Sequence, residues 1–164
     1  MKLVPTNRTD YGLRALIYLV NAGGPWTKAA EIGAAMDIPV GFLQIVLQDL
    51  QRSQLVASKS GPRGGYALAR PPGSITVCEV VESLEGPFDT GDCALRGGPC
   101  HWDDVCALHK VWSSAREALR ERLQSSTIAE VAAEDRALAN RTATVPADAH
   151  RRRAKAKTSH PRSQ

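Results

Sequence analysis

A chain of 164 residues with 43% hydrophobic content can hold one domain with a real core plus short extensions. It contains no uninterrupted apolar run near the ~18 residues of a membrane span. It opens Met1-Lys2-Leu3-Val4-Pro5-Thr6, without a signal-peptide core or cleavage site, so a cytoplasmic protein with no membrane partner is expected. The net charge of +4 is unevenly spread: residues 1–70 carry eight Lys/Arg against four Asp/Glu, residues 71–140 six against twelve, and residues 141–164 seven against one. Basic ends around an acidic middle suggest that nucleic acid meets the ends. Nucleotide-binding fingerprints, catalytic-triad patterns and CxxC pairs are all absent, which argues against an enzyme or a small redox carrier.

Residues 9–22 predict a first helix: Leu13, Leu16, Ile17 and Val20 share one face, Thr9 or Asp10 can cap the start, and Gly23-Gly24-Pro25 ends it. The alanine-rich residues 28–36 predict a short second helix with Thr27 as its N-cap, and Asp37 and Ile38 turn into a third over 39–52. Pro39 suits the first turn of that third helix. Its apolar face is Phe42, Leu43, Val46, Leu47 and Leu50, and Ile45 is taken as a further packing residue. Residues 55–59 and 66–69 read as short strands around the turn Ser60-Gly61-Pro62-Arg63-Gly64-Gly65. Three helices followed by a hairpin make a winged helix-turn-helix.

Residues 76–86 predict another helix, stopped by Gly86-Pro87, and residues 87–101 read as irregular. A long helix over 103–124 follows, with Val105, Leu108, Trp112, Ala115, Leu119 and Leu123 three or four apart. Such a seam suits a coiled-coil-like pairing with a second copy. Residues 127–139 add a short helix, and from Arg141 the composition reads as a disordered basic tail. The expected fold class is mainly α with a small β-hairpin wing. Its parts are a winged helix-turn-helix domain over 1–86, a cysteine-bearing loop over 87–102, a dimerisation helix and short C-terminal helix over 103–140, and the tail over 141–164.

All four cysteines lie between residues 78 and 106. In a reducing compartment a tight cluster points to metal or redox chemistry more than to disulfides. Cys93-x6-Cys100-x5-Cys106 is spaced too widely for a zinc ribbon, but a Gly-rich loop with three thiolates can wrap an iron–sulfur cluster. Three thiolates leave one iron with a weaker oxygen or nitrogen ligand, or none, and that iron is the one open to nitric oxide or oxygen. Cys78, beside Val77, Val80 and Val81, reads as a small buried hydrophobe. His101 reads as a neighbour of the site, and Trp102 and Trp112 as packing residues that shield the loop.

Three segments carry a resemblance: Thr9-Asp10-Tyr11-Gly12-Leu13-Arg14-Ala15-Leu16, the wing Gly61-Pro62-Arg63-Gly64-Gly65-Tyr66-Ala67-Leu68-Ala69-Arg70-Pro71, and the helix from Ile75-Thr76-Val77 to Glu85-Gly86-Pro87. With the three downstream cysteines, residues 1–135 resemble the bacterial winged-helix regulators that include IscR, NsrR and CymR. The resemblance implies a transcription regulator, expected to be a repressor, that binds a palindromic double-stranded operator as a homodimer. It places base-reading positions near Gly41 and Gln44. Gly41, Gln44, Gln48 and Gln51 share the polar face of the third helix, with Val40 beside them, and glutamine can read adenine. Lys59 and Arg63 on the wing, and Arg8 and Arg14 on the first helix, are the candidate phosphate contacts. The wing departs from the family in having Ser60 where a basic residue is usual and Arg63 where glycine is common.

The resemblance also supplies two candidates for a fourth cluster ligand. His109, one helical turn after Cys106, resembles the IscR arrangement of a 2Fe–2S cluster on three cysteines and a histidine. Asp10 resembles the NsrR arrangement, in which an aspartate of the partner subunit completes a 4Fe–4S site. The Asp10 context favours the 4Fe–4S set and nitric-oxide sensing, with 2Fe–2S and His109 as the alternative. Cluster loss is then expected to alter the separation of the two recognition helices, which a two-fold operator requires to be about 34 Å or a multiple. The competing expectation is a cluster-free regulator of the CymR type, responding through its thiols or a partner protein.

Overall fold

The computed structural model describes residues 6–88, Cys93, Gly98 and residues 106–145. Helices α1 (Asn7–Ala22), α2 (Ala29–Met36) and α3 (Val40–Arg52) are followed by the strands β1 (Val56–Lys59) and β2 (Gly65–Leu68), then by α4 (Val77–Glu85), α5 (His109–Gln124) and α6 (Ile128–Ala139). The expected class, mainly helical with a hairpin wing, is what the chain adopts. No single helix among the described residues is long and apolar enough to cross a membrane.

The cap of α1 lies earlier than expected. Thr6 is the N-cap, its hydroxyl accepting from the Arg8 N–H. Thr9 is inside the helix, fully buried, and donates its hydroxyl to Glu85 at the end of α4. Asp10, in the first turn, ion-pairs with Arg14 at 2.9 Å. At Gly12 a side chain would collide with Leu84, so the bare backbone lets α1 and α4 pack closely.

Thr27 does not cap α2. Lys28 takes that position without a side-chain bond. Thr27 is extended instead, exchanging two backbone hydrogen bonds with Tyr66 of β2, at 2.9 and 2.8 Å. This long-range pairing has no local signature, and it fixes the wing to the start of the helix-turn-helix. Gly65, at φ +155°, allows the approach, since a Cβ there would strike the Thr27 carbonyl. The chain bends by 115° between α2 and α3, within the range of a helix-turn-helix. The β1–β2 pairing is antiparallel, with Val56 opposite Leu68 and Lys59 opposite Gly65.

The core joins Leu16 of α1, Ile32 of α2, Leu43, Val46, Leu47 and Leu50 of α3, Val80 of α4 and Ile128 of α6, each fully buried. Full burial of such a side chain is worth about 1.5–3 kcal/mol. Two residues of α3 depart from expectation: Phe42 is 43% exposed, its ring edge-on to Tyr11 at 5.5 Å, and Ile45 is 53% exposed. Leu43, Val46, Leu47 and Leu50 already fill the buried arc, and Ile45 lies nearly opposite it at 100° per residue. Capping boxes at Thr76/Glu79 and Thr127/Glu130 start α4 and α6. The Val77 N–H donates to Ser126 O and the Ile128 N–H to Ile75 O, which ties α6 to the winged body. Helix α5 begins at His109, after a turn at 107–108, and Val105 lies outside the described residues.

Candidate nucleic-acid interface and cysteine segment

The expected reading face of α3 is open. Gly41, Gln44, Gln48 and Gln51 are exposed, and Val40 is 38% exposed. A groove of about 520 Å³ separates this helix from the wing, lined by Val40, Gln44, Lys28, Lys59, Gly61 and Tyr66 among others. The Lys28 ammonium donates to the Gly61 carbonyl at 2.9 Å, steadying the wing turn. The Lys59 ammonium stands 5.8 Å from the centre of the Trp26 ring, a cation–π contact. Arg63 is exposed at the wing tip. Lys59 and Arg63 therefore project from the same hairpin, beside the glutamine face.

Arg8 and Arg14 serve the fold. Arg8 pairs with Asp49, which is 5% exposed on α3 and also pairs with Arg52 at 3.0 Å. Arg14 donates to the Met36 carbonyl at the end of α2 at 2.5 Å and pairs with Asp10. The first turns of α1 thus hold both members of the helix-turn-helix. Charge-assisted hydrogen bonds of this kind are stronger than neutral ones, and the low exposure of Asp49 limits screening.

Sequence reasoning missed Ile45, Lys28 and Trp26 at this interface. Helical phase alone puts Ile45 with Gly41 and Gln48, but its apolar character suggested packing. Lys28 and Trp26 reach the wing only through the Thr27–Tyr66 pairing, which no local pattern announces.

Cys93 and Cys106 are both half-buried and carry free thiols. The Cys93 N–H donates to the Gly98 carbonyl at 2.8 Å. The His109 N–H donates to the Cys106 carbonyl at 3.0 Å, one turn along, and His109 is exposed. Cys100, His101 and Trp102 lie outside the described residues. Among the described residues no three His, Cys, Asp or Glu side chains converge within one subunit. Asp10 is 53% exposed on the outer side of α1. Cys78 is fully buried; burial first, and the nearby Glu82 carboxylate next, push its thiol above the ordinary range. It is an inert packing residue.

Comparison with known proteins bears directly on this geometry. Residues 5–134 match the Rrf2 family model, described as an iron-dependent transcriptional regulator. The chain belongs to the Rrf2 family. A Mycobacterium tuberculosis protein provisionally named an HTH-type transcriptional regulator is 35% identical over 76% of this chain and 78% of its own length. IscR of Klebsiella pneumoniae is 31% identical over 77% of each chain. Among solved structures, CymR of B. subtilis, titled the global cysteine regulator of that organism, superposes with a TM-score of 0.69 at 27% identity, covering 81% of this chain and 98% of CymR. The family so shown is one of transcriptional regulators.

Proposed function

We propose that this Rrf2 regulator binds palindromic operator DNA as a homodimer and represses transcription, and that Cys93, Cys100 and Cys106 hold an iron–sulfur cluster through which nitric oxide or redox state sets DNA affinity. The supporting observation is the state of the cysteines. Cys93 and Cys106 are accessible, unbridged thiols at the two ends of a Gly-rich segment, and thiolates are the donors that iron–sulfur clusters take. When bound, a cluster with three protein thiolates supplies one iron open to a small incoming ligand.

The chain's own residues give two routes for the fourth ligand. His109 shares a turn with Cys106 and would keep the site within one subunit. Asp10 would have to leave Arg14, and its exposure makes it available to a partner subunit. Arg14 also holds the end of α2, so a change at Asp10 is felt beside the reading head. The 4Fe–4S set with Asp10 is the favoured assignment, and 2Fe–2S with His109 the alternative. Gln44 and Gln48 would read base edges, Val40, Gly41 and Gln51 would border them, and Lys59 and Arg63 would take phosphates. Arg8 and Arg14 act on DNA indirectly, by positioning α3 and α2.

The test is iron, acid-labile sulfide and the visible spectrum of anaerobically purified protein, before and after nitric oxide. About four irons per chain, with a band bleached by nitric oxide and lost in Asp10→Ala, is the expected result. About two irons, with the band sensitive to His109→Ala, selects the alternative. Colourless protein with no iron would sink the cluster reading and leave a regulator responding through its accessible thiols.

A further inference from the structure

The basic segment after Val145 lies outside the described residues. Within them, the cation best placed beside the polar face of α3 is Arg52, in the last turn of that helix. Gly41, Ile45, Gln48 and Arg52 recur four, three and four apart, so their helical phases fall within about 60° of one another, and all four are exposed. The wing closes one side of this row, through the groove lined by Val40 and Gln44. Helix α1 closes the other, with the Tyr11 ring 5.5 Å from that of Phe42 and Arg8 on Asp49. Arg52 stands at the end of the row left open between them.

Its surroundings prepare it for an anion. The Arg52 Nη1 meets Asp49 Oδ1 at 3.0 Å, while the other carboxylate oxygen, Oδ2, is taken by Arg8 from α1. The Asp49 side chain is 6% exposed, and Arg8 already offsets its charge. Two guanidiniums on one carboxylate keep one positive charge, and Arg52, 76% exposed against 42% for Arg8, presents it to solvent. The Asp49 contact fixes one corner of the guanidinium and leaves the Nε–Nη2 edge for a second partner, the planar fork that matches two phosphate oxygens. Ordering the side chain in advance also lowers the entropy lost when that partner binds.

Position selects a phosphate over a base. From Gly41 to Arg52 the helix rises about 16 Å, more than the ~12 Å width of the major groove. With the N-terminal residues of such a helix at the base edges, its last turn stands at the groove wall, where the sugar–phosphate backbone runs. We propose that Arg52, aimed by the buried Asp49, holds a DNA backbone phosphate at the far end of the reading face. The proposal rests on the reading of α3 as the DNA-facing helix.

The test uses the full-length protein and a duplex of about 30 bp selected for tight binding from a random pool, with its single base-pair variants, followed by anisotropy from about 50 to about 200 mM salt. The natural chain is compared with Arg52→Gln, Arg52→Lys and Gln44→Ala. Each phosphate neutralised contributes about 0.9 to the slope of log K against log salt, so losing one in each subunit of a dimer lowers the slope by about 2. The expected result is that fall in Arg52→Gln, with binding weakened about tenfold by one common factor on every duplex. Arg52→Lys restores the charge without the planar edge, so it recovers the slope and only part of the affinity. Gln44→Ala keeps the slope and loses discrimination at single base pairs. Full recovery of affinity in Arg52→Lys overturns the aiming by Asp49. Loss of discrimination at one base pair in Arg52→Gln overturns the phosphate in favour of a base contact. A fall in slope of less than about one, with Gln44→Ala still impaired, leaves Arg52 as a partner of Asp49 and of the helix end alone, and overturns the proposal while the α3 reading stands. If no duplex is enriched, or no variant differs from the natural chain, the α3 reading falls and the phosphate contact with it.

Discussion

Helices α3 and α5 both carry an apolar stripe, and only one stripe is used inside the subunit. On α3, Leu43, Val46, Leu47 and Leu50 are fully buried. Helix α5 has no buried residue, and Leu108, Val111 and Leu119 along it are 53%, 63% and 43% exposed. Near its end Leu123 packs on the core, and one side of α5, with Trp112, Arg116 and Arg120 half-buried, lies against α4, so the exposed stripe is the side left over. Large apolar side chains left open in a row at helical spacing mark an interaction surface. The winged body is complete as a subunit, whereas α5 is the surface on which the proposed homodimer depends.

One substitution in each stripe separates the two roles. Leu47→Ala should cost about 2–5 kcal/mol of subunit stability, the penalty for a buried leucine with its cavity. Val111→Glu should leave the subunit fold within about 0.5 kcal/mol of the natural chain, as exposed substitutions do, while abolishing self-association. Urea unfolding at low protein concentration measures the first quantity and sedimentation the second. A Val111→Glu protein that stays dimeric would remove α5 from the interface.

A smaller effect separates α4 from α5 at their starts. Thr76 caps α4 in a reciprocal box with Glu79, whereas α5 has Leu108 at its N-cap and no side-chain cap. Thr76→Ala should cost about 1 kcal/mol in urea unfolding. Burial alone would raise the Glu79 carboxyl, but the Thr76 N–H and Arg70 outweigh it and hold it below the ordinary range. A loss well under this figure would mean that the tertiary contacts of α4, not its cap, set where it starts.

How far the sequence could be read follows the same division. Helices whose periodicity is internal, α1, α3 and α4, were legible to within a few residues, because spacing of apolar residues reports the buried face. The wing was legible from its glycines. What escaped depends on contacts across the chain: Thr27 looks like a helix cap until Tyr66 is beside it, and α6 looks like a short appendage until Ile128 and Ala132 are found in the core. Ile45 escaped for another reason, since residue type was given more weight than helical phase. For the candidate site, the exposure of the polar face of α3 was legible, but the intrachain partners of Arg8 and Arg14, Asp49 and the Met36 carbonyl, are invisible without the fold.

Ile45 is a large apolar residue left exposed on α3. Its place among Gly41, Gln44 and Gln48 suits contact with a thymine methyl. Burying one methyl is worth about 0.8 kcal/mol, roughly fourfold in affinity. On a duplex selected for tight binding, replacing thymines by deoxyuridine one at a time should weaken the natural chain about fourfold at one position of each half-site, and should leave Ile45→Ala unaffected. Equal sensitivity of both proteins at every position would remove Ile45 from the methyl contact.

The smallest expected effect lies at the junction of the two regions. Glu85 ends α4, just before the cysteine segment, and accepts hydrogen bonds from the Thr6 N–H and from the hydroxyls of Thr6 and Thr9. Burial alone would raise its carboxyl, but these bonds and the Arg8 charge prevail and hold it below the ordinary range. A lowered carboxyl contributes stability that is fully present above its unfolded value of about 4.3 and is lost as pH falls through the folded value. Because Glu85 is exposed, solvent screening reduces the effect to a few tenths of a kcal/mol. Glu85→Gln should therefore be slightly less stable than the natural chain at neutral pH, and the difference should close as the pH falls from about 5. A difference that does not change with pH would mean that the shape of the side chain, and not its charge, holds α1 against the end of α4, and that the junction is insensitive to the ionisation of Glu85.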